Sequence, residues 1–438
     1  MVKNAKVMLW DMLVGALLWD EENEVALFEY DRDFVATGLE IAPIHMPLQV
    51  GKIYEFRNLN RDVFKRLPAA FSDSLPDDFG SALFDAWLAR EGRDKRSVTP
   101  LERLLYTGSR GMGALEYNPA YPTSSRDGQP IQIDSLVKLA GEVLAERESL
   151  ADRIASGNSP DDDEALQRLI QVGTSAGGAR AKAVVAINDQ GDIRSGQIKA
   201  PPGYTYWLFK FDVDKESKRL EDSQGFGRIE YAYHLMAVAA GVNMMECRLH
   251  EEGGRAHFMT KRFDRTDDGE KIHMQTLGAL DHADFTRPGQ YSYEEAFAVM
   301  RELSLPAEDA EQMYRRMVFN VVARNHDDHV KNISLLMDRN GTWRLSPAYD
   351  VAWSYKPGSE WVETHQMTIN GKRDDFTRED LTNVLGKVKR FKPEDILDEI
   401  VSVVRQWPKF ANSAGVPGNT VDKIANSHRL YLGDAASS

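Results

Sequence analysis

Asn325-His326-Asp327-Asp328-His329-Val330-Lys331-Asn332 is the stretch on which the fold is decided. It closes a strong helical pattern over Ala307–Arg324 and lies between apolar Val321-Val322 and Ile333–Leu336. Five of its eight residues are titratable. A solvated helix end explains scattered charges, but it explains less well His, Asp and Asn set between apolar flanks. Asp327 and Asn332 are five positions apart. That is the D-x-x-x-x-N spacing in which the Asp orients or deprotonates a substrate hydroxyl and the Asn binds Mg²⁺. Two His and two Asp could instead ligate zinc. No H-E-x-x-H pattern is present, so zinc ranks well below magnesium.

Working outward, Ile333–Met337 and Thr342–Leu345 read as a hairpin around Asp338–Gly341. Leu345-Ser346-Pro347-Ala348-Tyr349-Asp350-Val351 follows. Alone, Asp350 is a loop carboxylate; after Asp327 and Asn332 it can bridge a second Mg²⁺ to phosphates. Upstream, Trp207–Phe211 reads as an aromatic strand containing Lys210, and Arg228–Ala240 as a helix containing Glu230. A lysine facing solvent on an edge strand is the ordinary interpretation of such a residue. A strand Lys held by a helix Glu is the arrangement that fixes the phosphate-gripping lysine of kinases. Further upstream stands Thr174-Ser175-Ala176-Gly177-Gly178-Ala179-Arg180-Ala181-Lys182. Small residues let backbone N–H groups approach an anion, and Lys182 could add charge. No G-K-[ST] closes the run, so it is not a Walker A loop, and by itself it is a flexible turn. Gly108, Gly111 and Gly113 form a similar cluster without a nearby lysine. Each signal is weak, but together they follow the order of kinase parts: glycine-rich loop, strand Lys, helix Glu, Asp-x₄-Asn, hairpin, Asp. A phosphotransferase is the preferred class.

The chain has 438 residues, which exceeds one average core and implies two or more subdomains. Its formal charge of −14 argues against a protein coated with basic charge for nucleic acid, though not against a local basic patch. One cysteine, Cys247, excludes an intramolecular disulfide and a multi-cysteine metal site. It reads as a buried small hydrophobe, and a reducing cytoplasm is the natural setting. Val7–Trp19 is apolar except for Asp11. It reads as strand, turn, strand, with Gly15 near the turn, rather than as a signal peptide. Val25–Tyr30 and Met46–Leu48 read as further strands. No apolar run reaches the roughly 20 residues of a membrane span. A strand-rich first half and a helix-rich second half predict an α+β, two-lobed, protein-kinase-like fold with an all-helical C-terminal lobe. Boundaries are expected as 1–125, 126–270 and 271–438.

On these motifs the sequence resembles the HipA family, the kinase toxins of bacterial toxin–antitoxin systems. The resemblance is strongest in Ser175–Lys182, Lys210, Lys261-Arg262-Phe263-Asp264-Arg265, Asp327–Asn332 and Pro347–Asp350. It implies Asp327 as the catalytic Asp, with Asn332 and Asp350 holding Mg²⁺. It implies Lys210 on the phosphates, held by Glu230, and Ala176, Gly177, Gly178, Ala179, Arg180 and Lys182 over ATP. Lys261, Arg262 and Phe263 would form the hinge beside adenine, with His329, Lys331 and Tyr349 also near nucleotide. Ser175 matches the loop serine that family members autophosphorylate. The family's Gly-Ala-Gln-Glu-Lys reads Gly178-Ala179-Arg180-Ala181-Lys182 here, and its hinge acid is Lys261. Its Asp-Gly-His-Ala-Lys-Asn reads Asp327-Asp328-His329-Val330-Lys331-Asn332.

The resemblance also implies partners: a helix-turn-helix antitoxin like HipB, operator DNA, and a protein substrate of the aminoacyl-tRNA synthetase class. Lys387, Lys389 and Arg390 resemble the family's DNA-contacting segment; a basic helix end balancing Glu394 and Asp395 is the competing view. With −14 overall, most phosphate contacts are expected from the partner. The expected location is the cytoplasm, with the nucleoid when the antitoxin is bound. Two alternatives stay open: a co-repressor with a dormant kinase site, and a kinase of small molecules or lipids.

Overall fold

The computed structural model describes residues 2–121, 131, 133, 136, 137, 140, 180–213, 225–386 and 391–433. Ser175, Ala176, Gly177, Gly178, Ala179, Lys387, Lys389 and Arg390 therefore lie outside the described residues. Two compact units are present. The first comprises residues 1–224, 250–275 and 337–341; the second comprises 225–249, 276–336 and 342–438.

The first unit holds two five-stranded sheets. One joins β1 (Asn4–Leu9), β2 (Met12–Asp20), β3 (Val25–Tyr30), β4 (Ile53–Tyr54) and β5 (Leu115–Asn118) in the order β4-β3-β2-β1-β5. The β1–β2 turn falls at Trp10-Asp11, both at positive φ, and not near Gly15. Gly15 lies within β2 for a packing reason: a Cβ there would stand 2.2 Å from the Glu29 carbonyl oxygen and 2.9 Å from the Phe28 ring. Met46–Leu48 is not a strand; Pro47 in its middle has no N–H to give a ladder, and pairing resumes at β4.

The other sheet runs β7-β6-β8-β10-β9, from β6 (Lys182–Asn188), β7 (Ile193–Ser195), β8 (Tyr204–Lys210), β9 (Cys247–Glu252) and β10 (Arg255–Lys261). β6 and β8 are central and antiparallel, with Lys182 opposite Lys210 and Phe258 of β10 opposite Lys210. A central strand is buried on both faces, which explains the near-continuous apolar sequence of β6 and the aromatic run of β8. Helix α1 (Asp78–Arg90) covers this sheet: Phe79, Leu83 and Trp87 share a core with Ala183, Val185, Trp207, Phe209 and Met259. Helix α2 (Pro100–Thr107) begins with a Thr99–Glu102 capping box and Pro100 in its first turn.

The second unit is mainly helical: α3 (Phe226–Ala239), α4 (Tyr293–Glu302), α5 (Ala307–Val322), α6 (Arg378–Asn383), α7 (Pro393–Val404), α8 (Trp407–Ser413) and α9 (Gly418–Ala425). A hairpin of β11 (Ser334–Met337) and β12 (Trp343–Leu345) interrupts the helices, so the lobe is not helical throughout. Capping boxes at Ser292–Glu295 and Thr377–Asp380 fix the starts of α4 and α6. Cys247 is buried. No helix among the described residues is long and apolar enough to cross a membrane.

Candidate active site

The 325–332 loop is built from the end of α5. Met313, Met317, Val318, Val321 and Val322 are fully buried, which seats the helix. Arg324 takes a left-handed φ of 57° and turns the chain out of α5. Its Nε donates to the Ser427 carbonyl at 2.8 Å, and its guanidinium lies over the Tyr355 ring at 4.5 Å. Buried Arg429 caps the helix from the C-terminal side: its guanidinium donates to the Val321 carbonyl at 2.7 Å. Asn325 donates to Asn320 Oδ1 at 2.9 Å, and the His326 N–H to the Ser354 carbonyl at 3.1 Å. The loop is thus tied to the helix behind it and to the strand-like segment ahead.

Within the loop, Asn332 Nδ2 donates to the Asp327 backbone carbonyl at 2.8 Å. An amide has one donor end and one acceptor end. Spending the nitrogen on Asp327 leaves Asn332 Oδ1 as its acceptor. Tyr349 donates its hydroxyl to the Lys331 carbonyl at 2.7 Å, so the residue before Asp350 holds the residue before Asn332. Asp350 itself sits at φ 55°, a left-handed conformation that Asp tolerates better than most residues and that sites of function retain. Asn332, Tyr349 and Asp350 line one cavity of about 20 Å³ together with Asn320, Asn325 and Asp328. That volume admits about one water-sized species. Buried Asn325 Oδ1 has no hydrogen-bond partner among the described residues and lines this cavity.

Apolar Val242, Met313, Phe319 and Ile333 and the Arg316 side chain also line this cavity, so the oxygen donors suited to a hard divalent cation are Asn332 and Asp350 at one side of it. Mg²⁺ is usually held by one or two protein oxygens plus water and phosphate, not by an all-protein cage. No group of three or more His, Cys, Asp or Glu side chains able to hold a metal occurs among the described residues.

The carboxylate of Asp327 is partly exposed. Its Oδ1 accepts from the Trp361 indole N–H at 2.7 Å, and His329 Nε2 stands 3.7 Å from the same oxygen. Lys331 Nζ lies over the Phe285 ring at 5.0 Å. Asp328 points the other way, into the core. Its Oδ2 accepts from Tyr293 at 2.9 Å and pairs with His365 Nδ1 at 2.8 Å; its Oδ1 accepts from the Gln366 N–H at 2.8 Å. His365 Nε2 meets Arg429 at 2.9 Å, and Arg429 pairs with Asp374. Burial pushes the imidazoles of His326 and His365 down, and their rings stand 4.1 Å apart.

The remaining candidates fall in the first unit, apart from Glu230. Lys210 ends β8, buried, its ammonium 5.8 Å from the Phe258 ring centre. Lys182 is buried too, and Nζ lies 3.3 Å from Asp77 Oδ2. Burial pushes the Asp77 carboxyl up, against the pull of Lys182. Arg180 is half-buried at the entry to β6. Lys261 pairs with Asp267 at 2.8 Å. Arg262 is 2 % exposed, and its guanidinium grips Asp264 through two bonds of 2.8 and 2.6 Å. Arg265 adds a third at 2.8 Å, and the Gly113 N–H donates to the same carboxylate at 2.7 Å. Phe263, between them, is half-buried. Glu230, in α3 of the second unit, is buried.

Sequence reasoning missed several of these groups. Asp77 belongs to no motif, and nothing in spacing connects it to Lys182. Trp361, Gln366, His365 and Arg429 carry no motif, since they meet the loop from 34 to about 100 residues away. Gly113 read only as part of a glycine cluster without a nearby lysine, yet its positive φ and its N–H to Asp264 make it the anchor of the Arg-Phe-Asp-Arg stretch.

Two family models match this chain: HipA N-terminal domain over residues 5–118 and HipA-like C-terminal domain over residues 174–427. The second alone spans more than half of the sequence. The chain belongs to the HipA family. Among curated proteins it is similar to putative kinase Y4mE of Sinorhizobium fredii, 29 % identical over 125 residues. That match takes in 26 % of this chain and 30 % of the relative's length. It is also similar to putative kinase Y4dM of the same species, 27 % identical over 304 residues, 62 % of this chain and 69 % of that protein. Among solved structures, the Shewanella oneidensis MR-1 toxin–antitoxin system complex of HipA, HipB and operator DNA matches with a TM-score of 0.65. Identity is 15 %, over 98 % of this chain and 96 % of that one, a likeness that shows the α+β HipA fold.

Proposed function

We propose that this HipA-family chain is a Mg²⁺- and ATP-dependent kinase that transfers the γ-phosphoryl group to a protein serine or threonine. The observation that carries it is the Asn332 amide: its nitrogen is spent on the Asp327 carbonyl, and its residue lines a small cavity with Asp350. Two relatives named putative kinases support the class. Asn332 Oδ1 and the Asp350 carboxylate are the groups that would hold Mg²⁺, which when bound neutralises phosphate charge. Asp327 orients the acceptor hydroxyl; as its oxygen bonds to phosphorus and ADP leaves, the hydroxyl proton passes to the Asp327 carboxylate.

Lys210 is assigned to the ATP phosphates and Glu230 to holding Lys210. Arg180, Lys182, Lys261, Arg262, Phe263, His329, Lys331 and Tyr349 are assigned to the nucleotide's surroundings, and Ser175 to autophosphorylation. Phosphoserine there would bring about −1.5 to −2 charge beside the ATP phosphates. The domains are proposed as 1–125, 126–270 and 271–438.

The proposed partners are a HipB-like antitoxin and operator DNA, as in the Shewanella oneidensis complex, with an aminoacyl-tRNA synthetase as the substrate class. Phosphoproteomics of cells expressing this chain or its Asp327→Asn variant tests the reading. Sites that depend on Asp327 support a protein kinase; labelled metabolites or lipids with no labelled protein would replace it. Gel shifts with and without the antitoxin test the DNA role. Lys387→Ala with Arg390→Ala should weaken binding and reduce the salt slope.

A further inference from the structure

Four residues close a ring of hydrogen bonds around the proposed catalytic carboxylate. Asp328 Oδ1 accepts from the Gln366 N–H at 2.8 Å. The Gln366 side-chain amide donates to the Trp361 carbonyl. Trp361 Nε1 donates to Asp327 Oδ1 at 2.7 Å, and Asp327 precedes Asp328 in the chain. Asp328 and Gln366 are 3 % and 4 % exposed, so two corners are fixed in the core, while the Asp327 carboxylate is partly open to solvent. Asp328 is further pinned by Tyr293 and by His365, which itself leans on Arg429. The 358–362 turn is braced locally: Ser359 Oγ accepts from the Trp361 and Val362 N–H groups at 3.3 Å, and Glu363 from the Gly358 N–H at 3.1 Å.

We infer that Trp361 is a positioning residue for phosphoryl transfer, delivered to Asp327 by a strap that Asp328 anchors through Gln366. This rests on the kinase reading of Asp327. An indole N–H can only donate, so it cannot compete for the substrate proton. By holding Oδ1 it fixes the carboxylate rotamer and leaves Oδ2 as the oxygen with no hydrogen-bond partner among the described residues. A carboxylate free to rotate would spend less time aligned, and small misplacements of reacting groups cost large factors in rate.

The test is steady-state Mg-ATP hydrolysis and self-labelling by the full-length protein. Trp361→Phe keeps the ring and removes the donor. Its kcat should fall about tenfold or more, with KM for ATP within about twofold of wild type. Gln366→Leu breaks the ring without touching the indole and should lower kcat in the same way. Trp361→Phe with Gln366→Leu should be no slower than the slower single variant, because both act through one path.

Thermal melts of each variant identify any that misfold, and Gln366→Leu carries the test should Trp361→Phe do so. Wild-type kcat in both single variants, a rise in kcat for Trp361→Phe, or independent additive losses would overturn the positioning role. Asp327→Asn separates the two levels. If it is as active as wild type, the kinase reading of Asp327 fails. If it is inactive while Trp361→Phe and Gln366→Leu are unimpaired, only the positioning role fails.

Discussion

Replacing Asp264 by Asn should be one of the most damaging isosteric changes in the first unit. The carboxylate is fully buried and faces two buried guanidiniums, with bonds of 2.6–2.8 Å to Arg262 and Arg265 and 2.7 Å from the Gly113 N–H. Burial alone would push the Asp264 carboxyl up; Arg262 and Arg265 outweigh it and hold the group well below the usual carboxylate range. The same crowding, burial first and Arg262 next, pushes Arg265 down to about 10. An amide leaves volume almost unchanged, so the cost is electrostatic: two buried cations lose their shared counter-charge. Breaking a buried pair in this way costs about 3–5 kcal/mol. Because the folded pKa is depressed, Asp264's contribution is fully present above about pH 4 and is lost only as pH falls below that range.

At pH 7.5 the whole effect should therefore appear in urea unfolding, as a lower midpoint with an unchanged slope. For a unit of this size it corresponds to a fall in Tm of at least about 6 °C. Hydrogen exchange at Gly113 should accelerate, since its N–H loses a charged acceptor. A loss below about 1 kcal/mol with Gly113 still protected would refute the argument that this carboxylate holds the Arg-Phe-Asp-Arg stretch to the Gly111–Gly113 turn.

Two further outcomes follow from packing and titration. Burial pushes His273 and His428 down to about 4. The unfolded chain then binds more protons between about pH 6.5 and 4, so stability should fall as pH drops through that window. His273 alone contributes about 3 kcal/mol over the full range. Urea midpoints that are equal or higher at pH 5 than at pH 7.5 would contradict this. Gly15→Ala should cost about 1–3 kcal/mol, because its Cβ would stand 2.2 Å from the Glu29 carbonyl oxygen; a neutral melt would show that β2 and β3 can separate there at little cost.

Much of the 325–332 loop was legible because its contacts are local in sequence. Asp327 and Asn332 are five apart, and Asn332 reaches back to the Asp327 carbonyl. The hairpin between Asn332 and Asp350 was legible for the same reason, from two short runs around the Asp338–Gly341 turn. Strands β6 and β8 followed from their apolar and aromatic runs, and α5 from its three- and four-residue apolar spacing. What was not legible depends on side chains that meet across long separations. The apolar Val7–Trp19 run hid its turn because Trp10-Asp11 supplies left-handed backbone without glycine, while Gly15 is demanded by a close approach to β3. Lys182 read as a free cation beside a glycine-rich run, but its partner Asp77 lies 105 residues earlier. Asp328 read only as a departure from a pattern; its meaning depends on Tyr293, His365 and Gln366 converging on one buried carboxylate.

The most direct test of the central claim is transfer from γ-labelled ATP with Mg²⁺ by the purified full-length chain, beside Asp327→Asn. That variant keeps a side-chain oxygen able to accept from Trp361 but loses the basic carboxylate. Wild-type labelling should require Mg²⁺, be abolished by chelation, and fall by about 10²-fold or more in Asp327→Asn. Equal labelling by both proteins, or none by the wild type at any Mg²⁺ concentration, would contradict it.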